Sequence, residues 1–414
     1  MTQILNRSLT SLKIPNYRRF FVGQFVSISG NWMQIVAELW VVLTLTGSGL
    51  AVGVASALQF LPMLLIGAWG GLIADRFSKR RLLIVTQALH MVPPLILLGL
   101  ALAGELSALA VFGVAFGRGI VNAVDYPTRQ AFVMEIVGAD RVVNAVSLNS
   151  VLVHASRIVG PAIAGVLIAT VGVEPCFALN AASFGVMIVA LVSMDAGALR
   201  PSAVEERSEG GVRAGLRYVR ETPSLWIPLG LMAIVGTLGF NFHAILPLLA
   251  RFSFDGGASA YAALVSAMGL GAVVGALANG ARAKVTPALL VGAAIGFGAL
   301  ALLAAGAPSI GLELLALAPL GAASVVLAAS VNSALQLASR PQMRGRVMAM
   351  YSIVFLGSTP IGAPLAGWIS EQIDPRAALV MAGLAALLAG LLARAAFERV
   401  AREAEAADAA PAPA

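Results

Sequence analysis

The chain is poor in the residues that build a water-facing globule. Only 11% of its 414 residues are charged, whereas a soluble domain carries about 25%. So few charges cannot cover a globule of this size, and most of the surface must face lipid. A single cysteine, Cys176, excludes an internal disulfide framework and a cysteine-built metal site. Lysine occurs only at 13, 79 and 284, and histidine only at 90, 154 and 243. No metal-ligand cluster, no Gly-rich phosphate loop followed by Lys, and no Ser-His-Asp order is present. These absences argue against an enzyme, against a bound cofactor or metal, and against ATP as an energy source on this chain.

What the chain does have is apolar sequence, 59% of the total. A transmembrane helix needs roughly 20 mostly apolar residues. Twelve such runs are present, at 20–46, 50–74, 82–103, 107–134, 142–171, 175–195, 223–250, 259–281, 286–306, 309–338, 346–371 and 376–396. The segment before the first run is polar and basic, with no apolar stretch of its own, so no signal peptide is expected.

The net charge of +7 would suit nucleic acid, but the placement of the 27 Lys and Arg residues argues otherwise. With the N-terminus in the cytoplasm, all of them except Arg118, Arg157, Arg251 and Arg376 fall in cytoplasmic segments or at their edges. That excess on one side is the positive-inside pattern of a multi-span membrane protein with both ends in the cytoplasm, and the inverted topology would violate it.

The longest loop, 196–222, divides the chain into a six-helix bundle at 1–195 and a second at 223–396, followed by a cytoplasmic tail at 397–414 that is expected to fray into disorder. Within the loop, Val212, Leu216 and Val219 share one helical face and Arg213, Arg217 and Arg220 a neighbouring one, the pattern either of a short amphipathic helix on an anionic membrane surface or of a linker that merely tethers the two bundles. The halves repeat each other weakly. GGLIADR at 70–76 matches VGALANG at 274–280, and GPAIAG at 160–165 matches GAPLAG at 362–367. Two equivalent six-helix halves are the mark of a transporter whose substrate site lies between repeats.

Several segments together resemble the major facilitator superfamily over essentially the whole chain. GGLIADRFSKRRLL (70–83) is similar to its signature loop, with Ser78 where glycine is usual, and RIVGPAIAG (157–165) is similar to its drug-antiporter motif. SLKIPNYRRFFVGQFVSISGNWMQ, DYPTRQAFVMEIVG and LNSVLVHASRIVGPAIAG resemble a narrower branch, the enterobactin-exporter-like or transmembrane secretion effector proteins. The resemblance implies an all-α fold of twelve transmembrane helices in two pseudo-symmetric bundles, working as a monomer in a bacterial inner membrane. It also implies proton-coupled antiport of a small molecule, and a conformational latch built from Gly71, Asp75, Arg76, Lys79 and Arg80. There Asp75 would face the start of the eleventh helix, with Asp125 and Arg129 as neighbours. The cluster otherwise serves only to set topology.

Polar residues inside spans are costly and face the bundle interior. In the first run Gln24, Ser27, Asn31, Gln34 and Glu38 recur at spacings of three and four, a continuous stripe. Arg118, Asn122, Asp125 and Arg129 form a second stripe in the fourth run, and Ser147, Ser150, His154 and Arg157 a third in the fifth. The second half is more apolar and offers Asn241 and His243. A wet cavity lined chiefly by the first half is therefore expected. Glu38 and Arg118 fall at similar depth, about 8 and 11 residues from their outer helix ends, or roughly 12 and 16 Å. They form either a proton-binding carboxylate with its counter-charge or a static ion pair. His154 is either a second proton carrier or a hydrogen-bonded packing residue, as lone membrane histidines more often are. Arg157 either binds an anionic substrate group or pairs with Glu38 or Asp125. Gly160, Pro161, Gly165, Gly362, Pro364 and Gly367 suit close helix packing. Trp32, Trp40, Phe60, Met63, Phe240 and Phe242 offer apolar walls.

The function expected is export of an amphipathic compound (drug, siderophore or other metabolite), using protons and the lipid bilayer as partners and no nucleic acid. Uptake of a small nutrient is the alternative, and a transport-inactive scaffold or receptor the third reading.

Overall fold

A computed structural model of the chain describes residues 10–200, 212–280 and 285–408, with the side chains of Asp75, Ser147, Val212 and Arg213 among those outside the description. The first six helices are α1 (Pro15–Thr46), α2 (Gly49–Arg76), α3 (Lys79–Leu102), α4 (Ala108–Val137), α5 (Val142–Thr170) and α6 (Glu174–Val192). A linker helix, α7 (Val212–Glu221), leads to α8 (Pro223–Leu238), α9 (Phe242–Leu248), α10 (Ala258–Gly280), α11 (Pro287–Ala305), α12 (Ile310–Ala338), α13 (Pro341–Gly357), α14 (Thr359–Gln372) and α15 (Pro375–Asp408). Among the described residues, ten of these helices singly and two further spans made of paired helices are long and apolar enough to cross a membrane, twelve spans in all.

Two of those spans are broken where the sequence reading has one continuous run. The seventh consists of α8 and α9, parted at Gly239–Asn241 and followed by a π-helical turn at Leu249–Ser253. The eleventh consists of α13 and α14, parted at Ser358. In both cases the chain runs on through the bilayer, so hydropathy alone does not register the break. The local signals are Gly239 in the first and Gly357-Ser358-Thr359-Pro360 in the second, where Pro360 starts the new helix without needing an N–H partner. α15 runs into the tail as far as Asp408, supported by Arg394–Glu398 and Arg399–Glu403 pairs one turn apart, and 409–414 lie outside the described residues.

The repeated Gly-Pro motifs explain how the halves fit together. A side chain at Gly160 would strike the backbone of Ser29 in α1, and one at Gly362 the backbone of Thr237 in α8. Each of these glycines sits at the crossing of the first and fifth spans of its own half. The last glycine of each motif faces the opposite half: Gly165 of α5 meets Ala262 of α10, and Gly367 of α14 meets the Gly49 backbone of α2. Only a residue without Cβ allows helices this close.

These contacts lie toward the end of the bundle that carries the α1–α2 connection, and they close it. Gly53 abuts the Ala363 carbonyl, Trp40 stacks on Tyr261 with ring centres 6.4 Å apart, and Ser48 donates to Glu371 across the two halves at 2.6 Å. The linker helix α7 docks on the second half. Val219 is buried, and the Tyr218 hydroxyl accepts from the Arg340 amide at 3.1 Å, while Leu216 stays exposed.

Candidate functional site

A cavity of about 330 Å³ opens between the halves. Gln24, Ser27, Asn31, Trp32 and Ile35 line it from α1, His90 from α3, and Asn122, Asp125, Tyr126 and Arg129 from α4. His243 of α9 is the lining residue from the second half. The lining runs from Ile35 and Trp32 at mid-span to Gln24, Gln130 and Asn149 near the end that holds the start of α1. Eleven residues separate Gln24 from Ile35, about 16 Å along the helix. The cavity is thus reached from the end opposite the tight glycine contacts.

The polar stripe of α1 divides along its length. Gln24, Ser27 and Asn31 face the cavity, and Gln24 donates to Asn149 at 2.7 Å. Gln34 and Glu38, one and two turns further on, are buried at 0% and 2% exposure, beyond the cavity lining. There Arg118 gives Glu38 two hydrogen bonds, Nη1 to Oε1 at 3.1 Å and Nη2 to Oε2 at 2.7 Å. Gln34 Nε2 donates to Glu38 Oε1 at 2.6 Å and itself accepts a short bond from Asn180 of α6. Two-pronged Arg–carboxylate pairing is among the strongest protein hydrogen bonds. Removing one partner from a buried pair costs about 3–5 kcal/mol, because the other charge is left uncompensated.

The second carboxylate, Asp125, is on the cavity wall. Thr86 and Gln87 of α3 donate to Oδ1 at 2.6 and 2.7 Å, and Arg129, one turn along, donates to Oδ2 at 3.0 and 2.8 Å. His90 stacks on Phe184 beside this network, with ring centres 5.3 Å apart. Thr86, Gln87, His90 and Asn180 complete the site from α3 and α6. In sequence they also repeat at helical spacing, Thr86 and Gln87 with His90 on α3 and Asn180 with Ser183 on α6.

Four other expected residues take different places. Ser150 is exposed, outside the cavity lining, with its hydroxyl bound to the Val146 carbonyl of its own helix; Asn149 lines the cavity in its stead. Asn241 is buried at the break in the seventh span, where it donates to the Thr237 carbonyl at 2.7 Å and packs against Gly362. His154 is half-buried and its Nδ1 has no hydrogen-bond partner. Arg157 forms no ion pair with Glu38 or Asp125, whose partners are Arg118 and Arg129. Its guanidinium lies over the Trp32 ring, 4.8 Å from the centre.

Of the expected latch cluster, Lys79 and Arg80 are engaged within the first half, and the side chain of Asp75 lies outside the described residues. Lys79 pairs with Glu135 at 2.9 Å, and Arg80 donates to the Leu191 and Val192 carbonyls that end α6, at 2.8 and 2.7 Å. Arg76 is exposed, and Gly71 has open space where a Cβ would stand. Arg129 is held by Asp125.

Trp32 and Phe60 belong to the cavity wall, but the other apolar candidates pack elsewhere. Phe240 and Phe242 form edge-on contacts with Phe297, and Trp40 belongs to the closed end. No group of three or more metal-ligating side chains occurs among the described residues.

Known proteins place this arrangement. The nucleoside transporter NupG superposes with a TM-score of 0.74 at 13% identity, covering 92% of this chain and all of that one (its D323A variant). A bacterial homologue of the lysosomal transporter Spinster, in an inward-facing unoccupied conformation, gives 0.69 at 13% identity over 94% of this chain and 96% of its own. In sequence, the enterobactin exporter EntS of Citrobacter koseri is 26% identical over 94% of this chain and 93% of its own length. The staphyloferrin A transporter of Staphylococcus aureus is 26% identical over 62% of this chain and 65% of its own. A family model described as transmembrane secretion effector matches residues 6–413. The chain therefore belongs to the transmembrane secretion effector family and is a secondary transporter of the major facilitator type.

Proposed function

We propose that this transporter is a proton-coupled antiporter that exports a small amphipathic molecule across a bacterial inner membrane by alternating access, with both termini in the cytoplasm. The observation that carries the reading is the position of two carboxylates. Asp125 lies on the cavity wall, while Glu38 is sealed beyond the cavity floor with both oxygens held by Arg118. Glu38 lies toward the closed end, so rocking the halves apart there exposes it to the far side of the membrane. A carboxylate held by a guanidinium differs in proton affinity from one parted from it. A movement that separates the two therefore changes proton occupancy with conformation, which is what coupling needs.

In this reading the present conformation, closed at the α1–α2 end, has released its proton and admits cargo from the cytoplasm. Glu38 carries the proton, Arg118 is its counter-charge, and Asp125 relays between Glu38 and the cavity water. The distribution of Lys and Arg supports the orientation. Export is supported by the enterobactin exporters among the relatives. One chain contains both halves and the cavity, so a monomer suffices, and the proton gradient replaces any cofactor.

The test is transport into inverted vesicles with a panel of labelled amphipathic compounds and an imposed pH gradient. Accumulation that reverses when the gradient is reversed is expected. Accumulation indifferent to the gradient would reject the coupling.

A further inference from the structure

The charges in and around the cavity do not balance. Arg118 is neutralised by Glu38 and Arg129 by Asp125. Arg157 is left over: it forms no ion pair among the described residues. A cation in the middle of a membrane protein without a carboxylate is expensive. What holds it here is aromatic. Its guanidinium covers Trp32, whose ring also stacks with His243 at 5.2 Å and 26°. Trp32, His243 and Tyr126 all line the cavity, so Arg157 stands directly behind its wall at the deep end.

We infer that Arg157 is the anion subsite of the transport cavity, and that the cargo is an organic anion whose carboxylate seats on Arg157 while its planar apolar part lies against Trp32, Phe60 and Tyr126. A guanidinium covered on one face by an indole keeps its in-plane N–H groups free, the geometry that receives a carboxylate on two parallel bonds. Binding then supplies the missing counter-charge, and the empty cavity keeps one uncompensated positive charge. Lysine cannot reproduce this, since it lacks both the stacking plane and the two-pronged donor set. The nearby Nδ1 of His154, buried and unpartnered, is a further polar contact one turn away on α5.

This inference rests on the transport reading for its biological meaning but not for its test. Purified full-length protein is titrated with 2-naphthoate, with its neutral isostere 2-naphthamide, and with a naphthyl trimethylammonium, and binding is followed by tryptophan fluorescence and thermal shift. Wild type is expected to prefer the carboxylate over the amide by at least tenfold and to reject the cation. Arg157→Gln is expected to abolish the preference without weakening the amide, and Arg157→Lys to recover only part of it, while the melting temperature without ligand reports any folding defect separately. Equal binding of carboxylate and amide by wild type, or a preference that survives in Arg157→Gln, overturns the inference. In vesicles, gradient-driven transport confined to cations would overturn the anion subsite and leave the antiport reading standing, whereas anion binding without gradient dependence would do the reverse.

Discussion

Ser48 and Glu371 join the two halves at the closed end: the serine hydroxyl donates to Glu371 Oε2 at 2.6 Å, and the same oxygen accepts the Leu50 amide at 2.9 Å. Glu371 thus supplies an acidic cap to the first turn of α2 from the opposite bundle, where the helix dipole favours negative charge. Such caps contribute about 1 kcal/mol. Glu371→Gln is expected to shift the balance between the two conformations about fivefold toward opening at this end. The shift is read as faster modification, from that side, of a cysteine placed at Val52 in a Cys176→Ala background.

Beneath that cap the glycines leave no room. A side chain at Gly367 would collide with the Gly49 backbone, and one at Gly165 with Ala262. Gly367→Ala is therefore expected to hold the α1–α2 end apart. A cysteine at Asn31, on the cavity wall, should lose most of its reactivity to an impermeant maleimide applied on the side carrying the termini. Unchanged reactivity would mean that the contact does not set the closed state.

Asp125 is the carboxylate on the cavity wall and has four donated bonds. Asp125→Asn keeps its shape but strips Arg129 of its counter-charge. Transport is expected to fall at least tenfold, while Thr86→Val, which removes a single neutral donor, costs a few-fold at most. Initial rates in vesicles at matched protein levels decide this.

For Glu38 and Arg118, stability and function are expected to separate. Glu38→Gln alone leaves a buried unpaired arginine, at a cost of about 3–5 kcal/mol. Combining it with Arg118→Met removes both charges and should recover most of the thermal stability. Gradient-driven transport should stay lost in the double variant. A static ion pair would instead regain transport together with stability.

The sequence already contained most of the fold. Twelve apolar runs and one-sided basic residues anticipate the spans, because the bilayer demands length and apolarity and little else. The stripe on α1 was readable from its three- and four-residue spacing, as was the meeting of Glu38 with Arg118. Its division into a cavity face and a buried part was not, because which turn touches water depends on how far the halves close over α1. Thr86, Gln87 and His90 on α3 and Asn180 with Ser183 on α6 also repeat at helical spacing, but that spacing does not say which carboxylate or amide each pair meets across the bundle. Ser48 and Glu371 lie more than three hundred positions apart, and no local pattern connects an exposed glutamate to a helix start in the other half. Arg157 could be seen as a membrane arginine, but its lack of a carboxylate is a property of the assembled bundle.

The central claim is that Glu38 carries the proton that drives export. It is tested most directly by reconstituting Glu38→Gln in proteoliposomes and measuring, with one transported compound, both uphill accumulation under an imposed pH gradient and counterflow exchange without one. The account predicts that uphill accumulation disappears while exchange continues. Full gradient-driven accumulation by Glu38→Gln would contradict it.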